Sequence, residues 1–185
     1  LKRGFCVMAT MDELVPGIRT LRTIGTGAGS KIVLGTDLRT GKEVAVKHAV
    51  RETAEDDKFI EQVENEYAVT HKLDHPQLRR TLSIHRVKRF FQTKENRMVM
   101  EYVDGLPLET AGPNRFNTFF PLFQRIAGGL DAFHDAGFVH ADIKPTNIML
   151  GKAGLLKIID FGQACKMQHR KERVQGTPDY SAPEQ

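Results

Sequence analysis

The stretch Val139-His140-Ala141-Asp142-Ile143-Lys144-Pro145-Thr146-Asn147-Ile148-Met149-Leu150 sets four polar residues, His140, Asp142, Lys144 and Asn147, at fixed intervals between apolar runs. It is followed by Leu156-Lys157-Ile158-Ile159-Asp160-Phe161-Gly162, a strand-like run that ends in an acid, and then by Gly176-Thr177-Pro178-Asp179-Tyr180-Ser181-Ala182-Pro183-Glu184. A lone aspartate in such a place is ordinarily a turn or capping carboxylate, because its short side chain bonds nearby backbone N–H groups. The joint spacing of Asp142, Asn147 and Asp160 argues for a chemical task instead.

Upstream, Ile24-Gly25-Thr26-Gly27-Ala28-Gly29-Ser30-Lys31-Ile32 is a glycine-rich loop whose missing side chains let backbone N–H groups approach phosphate oxygens. The plain alternative is a flexible turn. A dinucleotide fingerprint or a Walker loop must open a helix, whereas here a second strand-like run follows, so both are excluded. The third run, Val44-Ala45-Val46-Lys47, carries a lysine that by itself reads as a solvated edge charge. A partner is available in Asp56 to Leu73, where Phe59, Ile60, Val63, Tyr67 and Leu73 fall near helical spacing and acidic residues gather toward the start. Glu61, Glu64 and Glu66 are the candidates on that helix, and at about 3.6 residues per turn at most one of them faces Lys47.

In this order, over Ile18 to Gln185, the segments resemble the eukaryotic-type (Hanks-type) serine/threonine protein kinases, with a bacterial look in Ala182-Pro183-Glu184-Gln185. The matching parts are a glycine loop between strands, the V-A-x-K lysine, the catalytic loop, the D-F-G metal motif and the A-P-E motif. The resemblance implies an α+β, protein-kinase-like two-lobe fold: a β-rich N-lobe with one main helix, and an incomplete helical C-lobe. It also implies roles. Asp160 would bind Mg²⁺ and Asn147 the second metal position through its amide oxygen, a hard ligand for a hard cation. Lys47 would hold the α- and β-phosphates, steadied by Glu66, which stands ten positions before Pro76, where the family's lysine-pairing glutamate falls. Asp142 would accept or orient the substrate hydroxyl's proton and Lys144 would neutralise charge on the γ-phosphate. The implied ATP site takes Ile24, Gly25, Thr26, Gly27, Ala28, Gly29, Ser30 and Ile32 from the loop and its strands, Ala45 and Lys47 from the third strand, and Met100, Glu101, Val103 and Met149 beyond it.

Phosphoryl transfer leaves a protein mainly positioning and charge neutralisation, and these residue types suit that work. The K-x-x-N arrangement of Lys144 with Gly176-Thr177-Pro178 resembles Ser/Thr rather than tyrosine kinases. The expected activity is therefore transfer of the ATP γ-phosphate, with Mg²⁺, to Ser or Thr hydroxyls of a protein. A pseudokinase scaffold is the alternative, and the presence of Lys47, Asp142, Asn147 and Asp160 argues against it. The peptide-seating segment Gly176 to Glu184 likewise disfavours a small-molecule phosphotransferase.

Several positions depart from the family pattern. Ser30 stands where the third glycine is expected, with Gly29 one place earlier. Ala141 replaces the arginine that precedes the catalytic aspartate, and Gln163 to Gly176 contains no Ser, Thr or Tyr. Those two losses agree, since a loop without a phosphoacceptor has no use for an arginine receiver. Thr70 and Thr81 fall where the family stacks apolar side chains behind the active site. The sequence also reads as a fragment truncated after the A-P-E motif, with an N-terminal extension 1–16, an N-lobe 17–103 and a partial C-lobe 104–185.

With 40% hydrophobic and 27% charged residues over 185 positions, the chain is of globular composition, which excludes disorder and collagen-like repetition. Its 27 Lys and Arg against 23 Asp and Glu leave a net charge of +4, spread along the sequence, so no nucleic-acid partner is expected. Cys6 and Cys165 form no CxxC pair, no apolar run is long enough to span a bilayer, and the expected location is cytoplasmic. Strands are expected at Leu21–Ile24, Ile32–Leu34, Val44–Val46, Leu82–Val87 and Met98–Val103, the first three as an antiparallel meander. A Gly-Pro-rich link follows at Gly105 to Asn114, then a second helix through Phe119 to Phe133, with Pro121 in its first turn and Gly137 as its stop.

Overall fold

The computed structural model describes residues 13–27, 29–111, 116–168 and 176–181. Five strands, β1 (Ile18–Thr26), β2 (Ser30–Asp37), β3 (Glu43–Val50), β4 (Thr81–Arg89) and β5 (Gln92–Glu101), form one antiparallel sheet in the order β1-β2-β3-β5-β4. The expected meander holds for β1 to β3. Beyond β3 the chain crosses over through helix α1 (Asp57–Thr70), so β4 lands on the far edge and its hairpin partner β5 fills the gap. The β2–β3 turn is set by Asp37, whose Oδ1 accepts the N–H groups of Arg39 (2.8 Å) and Thr40 (3.2 Å), and by Gly41 at φ +70°.

Period-two alternation gives this sheet two apolar faces. One carries Val44, Val46 and Val99, packed with Val15 and Ile18. The other carries Ala45, Ala49, Met98 and Met100, and is covered by Ile60 and Val63 of α1. Lys47 shares this second face, turned toward the helix. The helix ends at Thr70 rather than Leu73, because the chain already turns there, with the Leu73 N–H bonded to the Thr70 carbonyl at 3.1 Å ahead of His75-Pro76.

The second half holds β6 (Gly105–Pro107), α2 (Leu108–Ala111), α3 (Phe116–Asp135), β7 (Phe138–Val139), β8 (Ile148–Gly151), β9 (Leu156–Ile158) and β10 (Cys165–Lys166). Two small sheets, β6-β8-β9 and β7-β10, flank α3. Residues 105–111 of the expected link at Gly105 to Asn114 form β6 and α2, the rest of it lying outside the described residues, and Gly105 pairs with Gly151 so closely that a Cβ would strike the Leu150 carbonyl. Pro121 also lies inside α3 rather than in its first turn, because the helix already starts at Phe116, and Pro121 cannot bond the carbonyl four residues back. Gly137, at φ +85°, ends it as expected. Ile126, Phe133, Ile148, Leu156, Ile158 and Phe161 form the core, which Val69 of α1 and Leu78 join. Backbone bonds from Ile158 N–H to the Gln77 carbonyl (2.7 Å) and from Arg79 N–H to the Ile158 carbonyl (3.0 Å) tie the two halves together directly behind the cleft.

Candidate active site

The loop between β7 and β8 carries Asp142, Lys144 and Asn147, and a short helical turn at Pro145–Asn147 holds it. Asp142 sits at the centre of a bonded group. Its Oδ2 meets Lys144 Nζ at 2.9 Å and accepts from Asn147 Nδ2 at 3.3 Å, while its Oδ1 accepts from Thr177 Oγ1 at 2.9 Å. Lys144 Nζ also donates to Thr177 Oγ1 at 2.9 Å. One carboxylate oxygen edge, one ammonium and one hydroxyl therefore converge on a single spot. Ala141, just before, has φ +61°, and Asp160 has φ +59°, both in the left-handed region where most side chains are strained. Beneath them His140 is buried and its Nε2–H donates to the Ile159 carbonyl at 3.2 Å. Burial pushes its pKa down, against that bond, so the ring is a neutral donor.

The Asn147 carbonyl accepts the Ile159 N–H at 2.9 Å, which brings Asn147 beside the residue preceding Asp160. Because Nδ2 of Asn147 is committed to Asp142, its amide oxygen is left for a cation. The Asp160 side chain is 46% exposed and its Oδ1 meets Lys47 Nζ at 3.2 Å. Burial of its surroundings acts to raise its pKa, but the Lys47 charge and hydrogen bond outweigh this and hold the carboxyl below its usual range. An ionised carboxylate and an amide oxygen are hard donors that fit a divalent cation such as Mg²⁺. Among the described residues no cluster of three or more His, Cys, Asp or Glu is built as a metal cage, so such a cation would complete its shell with phosphate oxygens and water.

On the sheet side, Lys47 Nζ bonds Glu66 Oε2 at 2.7 Å, and the lysine's side chain is only 12% exposed. Burial works to lower its pKa, yet Glu66 and Asp160 together raise it above the ordinary value, so it is a fixed cation. Of the three glutamates expected on α1, Glu66 meets the lysine, Glu64 bonds Arg86 instead, and Glu61 is exposed. Glu66 has a second cationic partner that the sequence reading did not include: Arg79 Nη2 bonds its other oxygen, Oε1.

Of the residues expected to bind nucleotide, Ala45 and Met100 are buried register partners on β3 and β5, Ile32 pairs with Lys47, Val103 is buried, and Met149 is half-buried on β8. Ile24, Gly25 and Thr26 end β1; Gly27 N–H bonds the Ser30 carbonyl at 2.8 Å across the loop; Ala28 lies outside the described residues. The Glu101 side chain is engaged elsewhere, accepting from Lys157 Nζ (2.9 Å) and the Arg80 N–H (3.0 Å). Gly29 has a reason of its own. Its φ is not in the left-handed region, yet a Cβ there would overlap the Phe59 ring of α1. The loop's shifted glycine thus makes room for an aromatic ring supplied by the helix, a pairing invisible in either segment alone.

The model of the protein kinase domain matches residues 18–185. The chain belongs to the protein kinase family. It is 34% identical over 178 residues to serine/threonine-protein kinase PknA of Mycobacterium tuberculosis, covering 90% of this chain and 41% of that protein. It is 30% identical over 194 residues to serine/threonine-protein kinase pkn2 of Myxococcus xanthus (96% of this chain, 23% of the relative). It is also 32% identical over 173 residues to CBL-interacting protein kinase 33 of Oryza sativa subsp. japonica (88% and 37%). The chain therefore spans less than half the length of these curated kinases. Membership accounts for the two-lobe α+β architecture: the five-stranded sheet with α1 as N-lobe, and the α3 half as part of the C-lobe. No helix among the described residues is long and apolar enough to cross a membrane.

Proposed function

We propose that this chain carries the nucleotide cleft and catalytic loop of a serine/threonine protein kinase, transferring the γ-phosphoryl group of Mg-ATP to a protein hydroxyl in the cytoplasm. The observation that carries the reading is the convergence of Asp142, Lys144, Thr177 and Asn147 on one side with the Lys47–Asp160 pair on the other. In this reading the N-lobe is 17–103 and the partial C-lobe 104–185, behind an extension 1–16.

Each side chain then has a task. The Lys47 ammonium clamps the α- and β-phosphates, which requires it to stay charged, as its two acidic neighbours ensure. Asp160 and the Asn147 amide oxygen hold Mg²⁺, whose contribution when bound is to neutralise phosphate charge. Asp142 receives the hydroxyl nucleophile's proton or orients that hydroxyl, and the attached Lys144 lies ready for the charge gathering on the transferred group. Thr177 bridges both and fixes their spacing. The loss of the phosphate-reading arginine at Ala141 supports an activity that needs no phosphorylation between Gln163 and Gly176.

The test is transfer of radiolabelled γ-phosphate from Mg-ATP to protein and peptide acceptors by the full-length protein. The expected result is phosphoserine or phosphothreonine, abolished by Lys47→Met. Folded wild-type protein that binds Mg-ATP but transfers nothing would instead support the scaffold reading.

A further inference from the structure

Behind the cleft, where α1 meets β4, a buried polar column runs from Glu66 to Arg79, Thr70 and Thr81, three residues that the catalytic reading leaves unused. Glu66 is 1% exposed and Arg79 5%. The carboxylate divides its oxygens: Oε2 goes to Lys47 at 2.7 Å, while Oε1 takes Arg79 and lies 3.4 Å from the Phe161 N–H. Arg79 is itself immobilised. Its backbone N–H is bonded to β9, its guanidinium lies 5.9 Å from the centre of the buried Phe161 ring, and Nη1 touches Met100 Sδ on β5. One turn along α1, the Thr70 hydroxyl is bonded to the Glu66 carbonyl (2.6 Å) and to the Thr81 hydroxyl of β4 (2.6 Å). A hydroxyl has one proton, so with Thr70 donating to the carbonyl, Thr81 donates to Thr70.

Apolar side chains in these positions would hold the helix to the sheet without preferring any rotation that aims Glu66. The present set does prefer one. A buried carboxylate left with one cation beside a second, unpaired buried cation is costly, so any slide or rotation of α1 that parts Glu66 from Arg79 is opposed. The local charges close at zero only with Arg79 included: Lys47 and Arg79 against Glu66 and Asp160. The Thr70 and Thr81 hydroxyls bond each other and the Glu66 carbonyl, none of them a group expected to hold nucleotide, while Arg79 touches one such residue, Met100.

We propose that Arg79 is a positioning residue for phosphoryl transfer: with the Thr70–Thr81 bond it latches α1 to the sheet, so that Glu66 faces Lys47 whether or not nucleotide is bound. This rests on the kinase reading above. It also accounts for Thr70 and Thr81, and it supplies from within the core the ordering that a phosphorylated loop would otherwise provide.

The experiment is a double-mutant cycle on kcat in the full-length protein with Arg79→Met and Glu66→Gln, together with hydrogen exchange of the wild-type protein. Arg79→Met should lower kcat about 10- to 100-fold, with the peptide KM changed less than about twofold, and Arg79→Lys should recover part of the loss. In the Glu66→Gln background Arg79→Met should cost little more, because one residue acts through the other. Amides of α1 should exchange equally slowly with and without Mg-ATP. Wild-type kcat in folded Arg79→Met, or losses that simply multiply, would overturn the latch. If Arg79→Met fails to fold, exchange alone decides, and strong protection of α1 appearing only on Mg-ATP addition would overturn it. Wild-type protein with no transfer at all would count against the kinase reading, while the exchange comparison would still judge the latch.

Discussion

The two sides of the cleft are built from opposite materials. The loop side, Asp142 to Asn147 with Thr177, is part-exposed, strained at Ala141, and held by bonds within one loop and to the single hydroxyl of Thr177. The sheet side, Glu66 with Arg79, Thr70 and Thr81, is buried and held by bonds that join α1 to β4 and the chain just before it. The first arrangement leaves polar atoms free to meet a substrate. The second pairs its carboxylate with the guanidinium and its two hydroxyls with each other, which suits a device that sets geometry. Asp160 stands at the junction, bonded to Lys47 and adjoining the Asn147 segment.

Breaking the loop side should have the largest effect. Asp142→Asn keeps the shape and removes the proposed proton acceptor, so transfer should fall about 10²- to 10⁴-fold in a steady-state assay while Mg-ATP affinity stays near wild type. Full activity would show that Asp142 has another task. A smaller effect is expected where loop and helix touch. Gly29→Val would drive a side chain into the Phe59 ring, at a cost of about 1–3 kcal/mol, and should weaken ATP binding in a fluorescence titration. The pair Gly29→Val with Phe59→Ala should regain much of it, since the clash is then gone.

How much of this was legible follows the same division. The loop side, the glycine loop and Lys47 were readable because each is a short local motif with set spacing. The sheet strands were readable from alternation, although their order was not, since the displacement of β4 to the edge is a consequence of the α1 crossover. Arg79 left no signal. An Arg-Arg pair after Leu78 reads as surface charge, and its burial against Glu66 depends on Ile158 fixing its backbone from the other half of the chain. Gly29 left half a signal, a misplaced glycine whose reason lay in Phe59.

The smallest effect concerns the central strand of the sheet. His48 on β3 is buried and bonded to Glu95 at 2.8 Å; burial pulls its pKa below the usual value and Glu95 only partly opposes this. The unfolded chain therefore binds more protons than the native state below about pH 6.5. Stability from this group is full above that pH and is lost as pH falls through the lower native value, and the buried His140 adds the same sign. Thermal melts from about pH 7.5 to 5 should show a falling Tm, less steep in His48→Gln. A Tm that rises on acidification would contradict the assignment.

In the proposed function both sides of the cleft meet on Mg-ATP through Asp160, which calorimetric titration can check. ATP should bind wild-type protein with Mg²⁺ present, more weakly with chelator, and Asp160→Asn should lose the dependence on the metal while remaining folded. Equal binding by wild type and Asp160→Asn, with or without Mg²⁺, would contradict the account.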